Sequence, residues 1–145
     1  MNYLHLLSSM RLEKRREMGI EHTPIEIESQ PRLWMENFRI LKRREEEIRR
    51  FVESSVFRKK SPRVILSGAG SSAFIGLSVQ NLMRCMWQID VDERPTTDIV
   101  THWNSIFLKR ADNTLISFSR SGNSPESIGA FILAKRFCDK MSHII

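Results

Sequence analysis

Cysteine is scarce in this chain, and the two present, Cys85 and Cys138, lie far apart without the short spacing a metal site needs. Both sit among apolar neighbours and read as reduced core residues rather than as a disulfide. No apolar run approaches the roughly 18 residues that span a bilayer. The brief apolar patch Tyr3–Leu7 precedes its arginines instead of following them, which reverses the charge order of a secretory leader. A cytoplasmic protein with no membrane partner is the expectation. The four histidines, His5, His22, His102 and His143, form no constellation with an acid and a nucleophile. No metal set is expected either.

A strong charge of one sign on one face is also lacking. The 23 basic and 17 acidic residues leave a formal charge of +6, but the excess is diluted. Residues 1–62 hold 14 basic and 10 acidic side chains, and residues 63–145 hold 9 and 7. In the run Lys42–Glu47, acids and bases sit at helical spacing, as on a solvated, self-paired face, so nucleic acid is not the expected partner.

What is present falls into two parts. Residues 1–62 form a helical lead-in: a charged helix over 1–18 ended by Gly19, a short helix opened by Thr23, Pro24 and Glu26, and a long helix after Pro31. In the long helix Trp34, Phe38, Leu41, Ile48, Val52 and Val56 recur at spacings of three and four, with a gap at Glu45. Beyond Ser61 and Pro62 the pattern changes. Val64, Ile65 and Leu66 make the continuous apolar run of a strand covered on both faces, and Gly68 and Gly70 end it. An amphipathic helix over Ser72–Trp87 follows, with Ile75, Val79, Leu82 and Met86 in one stripe. Ile89–Arg94 reads as an edge strand closed by Pro95, and residues 96–103 as a brief helix. Leu115–Phe118 is a third strand, and Ser124 caps a helix with Pro125 at its first position. The apolar positions of that helix are Ile128, Phe131, Ala134 and Cys138, and Lys135, Arg136 and Lys140 suit its carboxyl end. Ser142–Ile145 starts a fourth strand. This order specifies an α/β fold, a partial doubly wound parallel sheet with flavodoxin-like layering preceded by N-terminal helices.

Two loops then carry the chemistry. Ligands of open α/β sheets sit beyond the carboxyl ends of the strands. Gly68–Ser72 and Ser119–Ser124 both emerge there, each ahead of a helix. Together they offer the hydroxyls of Ser71, Ser72, Ser119, Ser121 and Ser124, the guanidinium of Arg120 and free N–H groups, which is what a phosphate ester requires. Either loop alone also suits ordinary turn and cap duties. A dinucleotide is the competing ligand: Gly68, Gly70 and Ala73 fit G-x-G-x-x-G/A, and Asp90 or Asp92 lies where a ribose-binding acid belongs.

LSGAGSSAFIG (Leu66–Gly76), PTTDIVT (Pro95–Thr101) and LISFSRSGNSPESIGA (Leu115–Ala130) resemble the first sugar isomerase (SIS) domain of the tagatose-6-phosphate ketose/aldose isomerase family, the galactosamine-6-phosphate deaminase/isomerase group. EIESQPRLW (Glu26–Trp34) is similar to that family's lead-in helix, so the resemblance covers roughly residues 23–145. It implies an isomerase or deaminase acting on a phosphorylated sugar or amino sugar. Ser72, Ser119, Ser121 and Ser124 would contact the phosphate, Ser71 and Arg120 would lie beside it, and no cofactor or metal would be required. The family's proton-moving residues match nothing here and are expected beyond Ile145, with residues 63–145 a first SIS domain truncated at its carboxyl end. Association into a homo-oligomer or through an open sheet edge is a further expectation. A SIS-domain regulator that senses sugar phosphates is the alternative, its N-terminal helices then binding DNA.

Overall fold

The computed structural model describes residues 3–138 and 141–145. It divides into two compact units, 1–48 and 49–145.

The first unit is helical. The charged stretch at the amino terminus forms two short helices, α1 (Tyr3–Ser8) and α2 (Leu12–Glu17), rather than one. Arg15 donates to the carbonyl of Ser8 at 2.9 Å and so ties the two together. Helix α3 (Thr23–Arg43) is continuous through Pro31, where two helices were expected. Pro31 withholds one N–H from the ladder, a cost the remaining turns of a 21-residue helix absorb. Thr23 is the first helical residue rather than the cap. The cap position falls on His22, whose side chain makes no capping bond, so the capping box read from Thr23 and Glu26 does not form. The gap in the apolar repeat at Glu45 marks a real break: α3 stops at Arg43 and α4 (Glu45–Val52) restarts. Charges beside the break pair locally, Lys42 with Glu45 and Arg44 with Glu47, both at 2.6 Å.

The second unit is the sheet and its covering helices. Strands β1 (Pro62–Gly68), β2 (Asp90–Glu93), β3 (Asp112–Phe118) and β4 (Ser142–Ile144) are all parallel and lie in the order β2-β1-β3-β4. Helix α5 (Ala73–Trp87) covers one face, where Val64, Leu66 and Val91 meet Val79, Met83 and Trp87. Helices α6 (Thr96–Ile106) and α7 (Pro125–Phe137) cover the other, where Ile65 and Leu115 meet Ile99, Ile106, Ala130 and Ala134. The segment ahead of β1 packs with this unit: Val56 joins the α5-side core, and Thr114 donates to the carbonyl of Ser55 at 2.9 Å.

Helix α5 departs from the expected stripe. Ile75, Leu82 and Met86 are exposed, and the residues facing the sheet are Ala73, Gly76, Val79, Met83 and Trp87. Small residues at the first two turns let the helix lie close on the strands, which hydropathy does not register. Cys85 shares the exposed side and is not a core residue, whereas Cys138 packs against the α6–α7 core. In α7 Ile128 is likewise exposed, and Ala130 and Ala134 take the buried face. Trp34 is 65% exposed, while Trp103 stacks on Phe137 with ring centres 3.6 Å apart. Lys140, expected at the end of α7, lies outside the described residues. Among the described residues no helix is long and apolar enough to cross a membrane.

Two buried charges mark the β2 edge. Arg63, 8% exposed, donates to Asp90 at 2.7 Å, to Asp92 at 3.0 Å and to the carbonyl of Ile106. Arg94 donates to Asp92 as well, at 3.0 Å. Glu93 is also 8% exposed, beneath α5 where Gly76 leaves it room, and its Oε1 has no hydrogen-bond partner. Burial raises its pKa; Arg94 works against this, and Asp98 and Asp92 add to it. A carboxyl whose pKa is raised by folding holds its proton more tightly in the native state. Its favourable contribution is therefore present at low pH and is lost as pH rises through the folded value. Thermal melts at a series of pH values should show stability falling above the ordinary Glu range near about pH 4.3, and Glu93→Gln should flatten that decline. An identical pH profile in the variant would refute the assignment.

Candidate functional site

The register of β1 on β3 positions the site. Ser67 pairs with Ser117 and Gly68 with Phe118, so the two loops leave neighbouring strands at the same level. The first becomes a 3-10 turn, Gly70–Ser72, that runs into α5, and the second leads to the amino end of α7. Between them lies a cleft of about 390 Å³. All six residues singled out from the sequence line it: Ser71, Ser72, Ser119, Arg120, Ser121 and Ser124.

Two backbone features make this possible. Gly68 passes so close to Ser72 and Ala73 that a Cβ would lie 2.5 Å from the Ser72 carbonyl carbon. Gly122 turns the second loop with φ of +69°, in the left-handed region that glycine enters at little cost.

Within the cleft Ser124 caps α7, accepting from the Ser127 N–H at 3.3 Å and donating its own proton to the Ser127 hydroxyl at 2.7 Å. Ser127 lines the cleft too and escaped the sequence reading. Its position three residues after a capping serine, on the first turn of the helix, is the signal that could have found it. Ser121 accepts a long 3.4 Å bond from the Asn123 N–H, and Ser119, Arg120 and Ser121 are exposed. Hydroxyls and a guanidinium therefore face a space bounded by the positive ends of two helices, α5 and α7. Such a surface favours a compact anion. Among the described residues lining the cleft there is no Asp, Glu, His or Lys.

The other candidates fall elsewhere. His102 is exposed and its Nδ1 bonds the Thr101 hydroxyl at 2.7 Å, outside the cleft lining. Asp90 and Asp92, the acids a dinucleotide ribose would need, are engaged by Arg63. His143 stands alone in the sequence but not in the structure, where its Nε2 lies 2.9 Å from the Ser117 hydroxyl.

Four parallel strands, helices on both faces and serine-rich loops at the ends of the two central strands define a sugar isomerase (SIS) type of α/β layer. Known proteins agree with this class and narrow it. The chain is 37% identical over 122 residues to the D-galactosamine-6-phosphate deaminase AgaS of Escherichia coli O157:H7, aligning 84% of itself with 32% of that protein. It is 33% identical over 138 residues to the AgaS of Shewanella sp. strain ANA-3, aligning 91% of itself with 34% of it. The crystal structure of tagatose-6-phosphate ketose/aldose isomerase from Escherichia coli superposes with a TM-score of 0.78 at 37% identity, over 83% of this chain and 33% of that one. The chain thus resembles the galactosamine-6-phosphate deaminase and tagatose-6-phosphate isomerase group and spans about a third of its relatives' length. No protein-family profile matches it.

Proposed function

We propose that the cleft holds the phosphate of a phosphorylated sugar or amino sugar, and that residues 63–145 serve as the substrate-holding SIS domain for its isomerisation or deamination. The observation that carries this reading is the convergence of Ser71, Ser72, Ser119, Arg120, Ser121 and Ser124 on one space at the amino ends of α5 and α7. The relatives' names give the chemistry of the ligand: a deaminase of galactosamine 6-phosphate and an isomerase of tagatose 6-phosphate. Such sugars share the phosphate, which is the part these loops would grip. Serine hydroxyls and backbone N–H groups would donate to its oxygens, and Arg120 would balance its charge. Binding the phosphate fixes one end of the substrate, so that the carbons to be rearranged are presented at a constant position.

Differential scanning fluorimetry with galactosamine 6-phosphate tests this directly. The phosphate ester should raise the melting temperature of the wild-type chain and unphosphorylated galactosamine should not. Ser121→Ala removes an exposed hydroxyl, so it should leave the unliganded melting temperature unchanged. Losing one hydrogen bond to a charged group should weaken Kd by about 10- to 100-fold. Equal stabilisation of wild type and variant would sink the assignment.

A further inference from the structure

Beneath the serine loop, the sheet face that carries Ile65 and Leu115 turns polar. Ser67 of β1 stands in register with Ser117 of β3. Ser67 is 1% exposed, and its hydroxyl has no hydrogen-bond partner. An unpaired buried hydroxyl is costly, and its place in an otherwise apolar layer calls for a role. Neighbouring strands lie about 5 Å apart, so a change of χ1 at Ser67 would bring its hydroxyl within reach of Ser117. On the other side, Nε2 of His143 on β4 already sits 2.9 Å from the Ser117 hydroxyl. Three strands thus contribute to one polar row.

The histidine ring is held in place. Phe131 of α7 stacks on it with ring centres 4.7 Å apart and planes inclined by 29°. Burial lowers the ring's pKa. Around the ring, β3 presents Leu115, its register partner, and the Ser117 hydroxyl, while α7 presents Phe131. At neutral pH the imidazole is therefore uncharged, and Nε2 accepts from Ser117 when Nδ1 carries the proton. Two residues beyond Ser117 the chain enters the cleft with Ser119 and Arg120.

We propose that His143 is a positioning residue for the cleft: stacked on Phe131, it anchors the Ser117 hydroxyl, with Ser67 behind it, and so fixes the end of β3 from which the serine loop emerges. The consequence for ligand affinity rests on the phosphate reading above, whereas the anchoring itself does not. Protonation of the ring would turn Nε2 from acceptor to donor and reverse the direction of the hydrogen bond along the row.

The anchoring is tested without ligand, by following the backbone amide resonances of Phe118–Gly122 and the His143 ring resonances between about pH 7.5 and about pH 4.5. The loop amides should shift with the same midpoint as the ring in wild type, and Ser117→Ala should abolish that shared titration. Loop amides that ignore the ring, or that follow it unchanged in Ser117→Ala, overturn the inference. The affinity arm uses galactosamine 6-phosphate. His143→Phe keeps an aromatic surface against Phe131 but loses Nε2, and should weaken binding by about 5- to 20-fold. Ser117→Ala should match it, the double variant should be no worse than either single one, and His143→Gln, which keeps a polar reach, should recover part of the loss. Wild-type affinity in His143→Phe, or losses that add in the double variant, overturn it. If the wild-type chain binds no sugar phosphate, the cleft reading fails and the resonance arm alone decides the role of His143. Should His143→Phe not fold, Ser117→Ala, which removes a single oxygen, supplies both readouts.

Discussion

Gly68→Ala is expected to weaken sugar-phosphate binding by at least about 100-fold, the equivalent of two lost hydrogen bonds to a charged group at about 1.5 kcal/mol each. A Cβ at this position would lie 2.5 Å from the carbonyl carbon of Ser72, 2.6 Å from its oxygen and 2.7 Å from the nitrogen of Ala73. All three are backbone atoms of the turn that presents Ser71 and Ser72 and starts α5. None can swing aside as a side chain would, so the turn itself must move. Overpacking of this kind also costs about 1–3 kcal/mol of stability. Titration calorimetry with galactosamine 6-phosphate and a urea melt measure the two effects. An affinity within about threefold of wild type would show that the turn's position is immaterial to the site.

Arg63→Ala should act in the opposite way, with a large loss of stability and no direct effect on the cleft. The guanidinium is buried under the β2 edge, and three acceptors depend on it: Asp90, Asp92 and the carbonyl of Ile106. Removing one partner of a buried ion pair typically costs about 3–5 kcal/mol, because the remaining charge stays desolvated. Here the lower end applies, about 3 kcal/mol. Asp90 is half exposed and can rehydrate, and Arg94 still reaches Asp92 at 2.8 Å. Arg63→Lys should recover only part of the loss, since an ammonium cannot place a planar fork between two carboxylates and a carbonyl. A urea midpoint for Arg63→Ala equal to that of wild type would show the network to be energetically idle.

The sheet and the candidate cleft were legible in the sequence for a shared reason. Val64–Leu66 is a short continuous apolar run and Leu115–Phe118 is apolar except at Ser117, as suits a doubly covered parallel strand, and each is followed at once by serine. Placing the two strands side by side needed no more than the usual topology of open α/β sheets, and all six predicted residues then fell on one space. The buried face of α5 was not legible. Ile75, Leu82 and Met86 outrank Ala73 and Gly76 in hydropathy, but closeness to the strands selects for smallness, and the larger residues remain on the outer surface. Pro31 misled for a related reason: a long helix tolerates one missing donor, so the residue that usually ends a helix here lies within one. The contact of His143 with Ser117 joins residues 26 positions apart, and no local pattern encodes it.

The β1–β3 register has one more consequence. Its partners, such as Arg63 and Asn113, are 50 residues apart in the chain, with α5, β2 and α6 between them. A contact of such long range carries a loop-closure cost and forms slowly. On the phosphate reading, neither serine loop would hold the anion by itself, since the first supplies Ser71 and Ser72 and the second Ser119, Arg120, Ser121 and Ser124. On that reading, capacity for the ligand requires β1 and β3 to have paired. A peptide cut from either loop would inherit none of it, and a chain able to capture sugar phosphate is one whose central strands have already found each other.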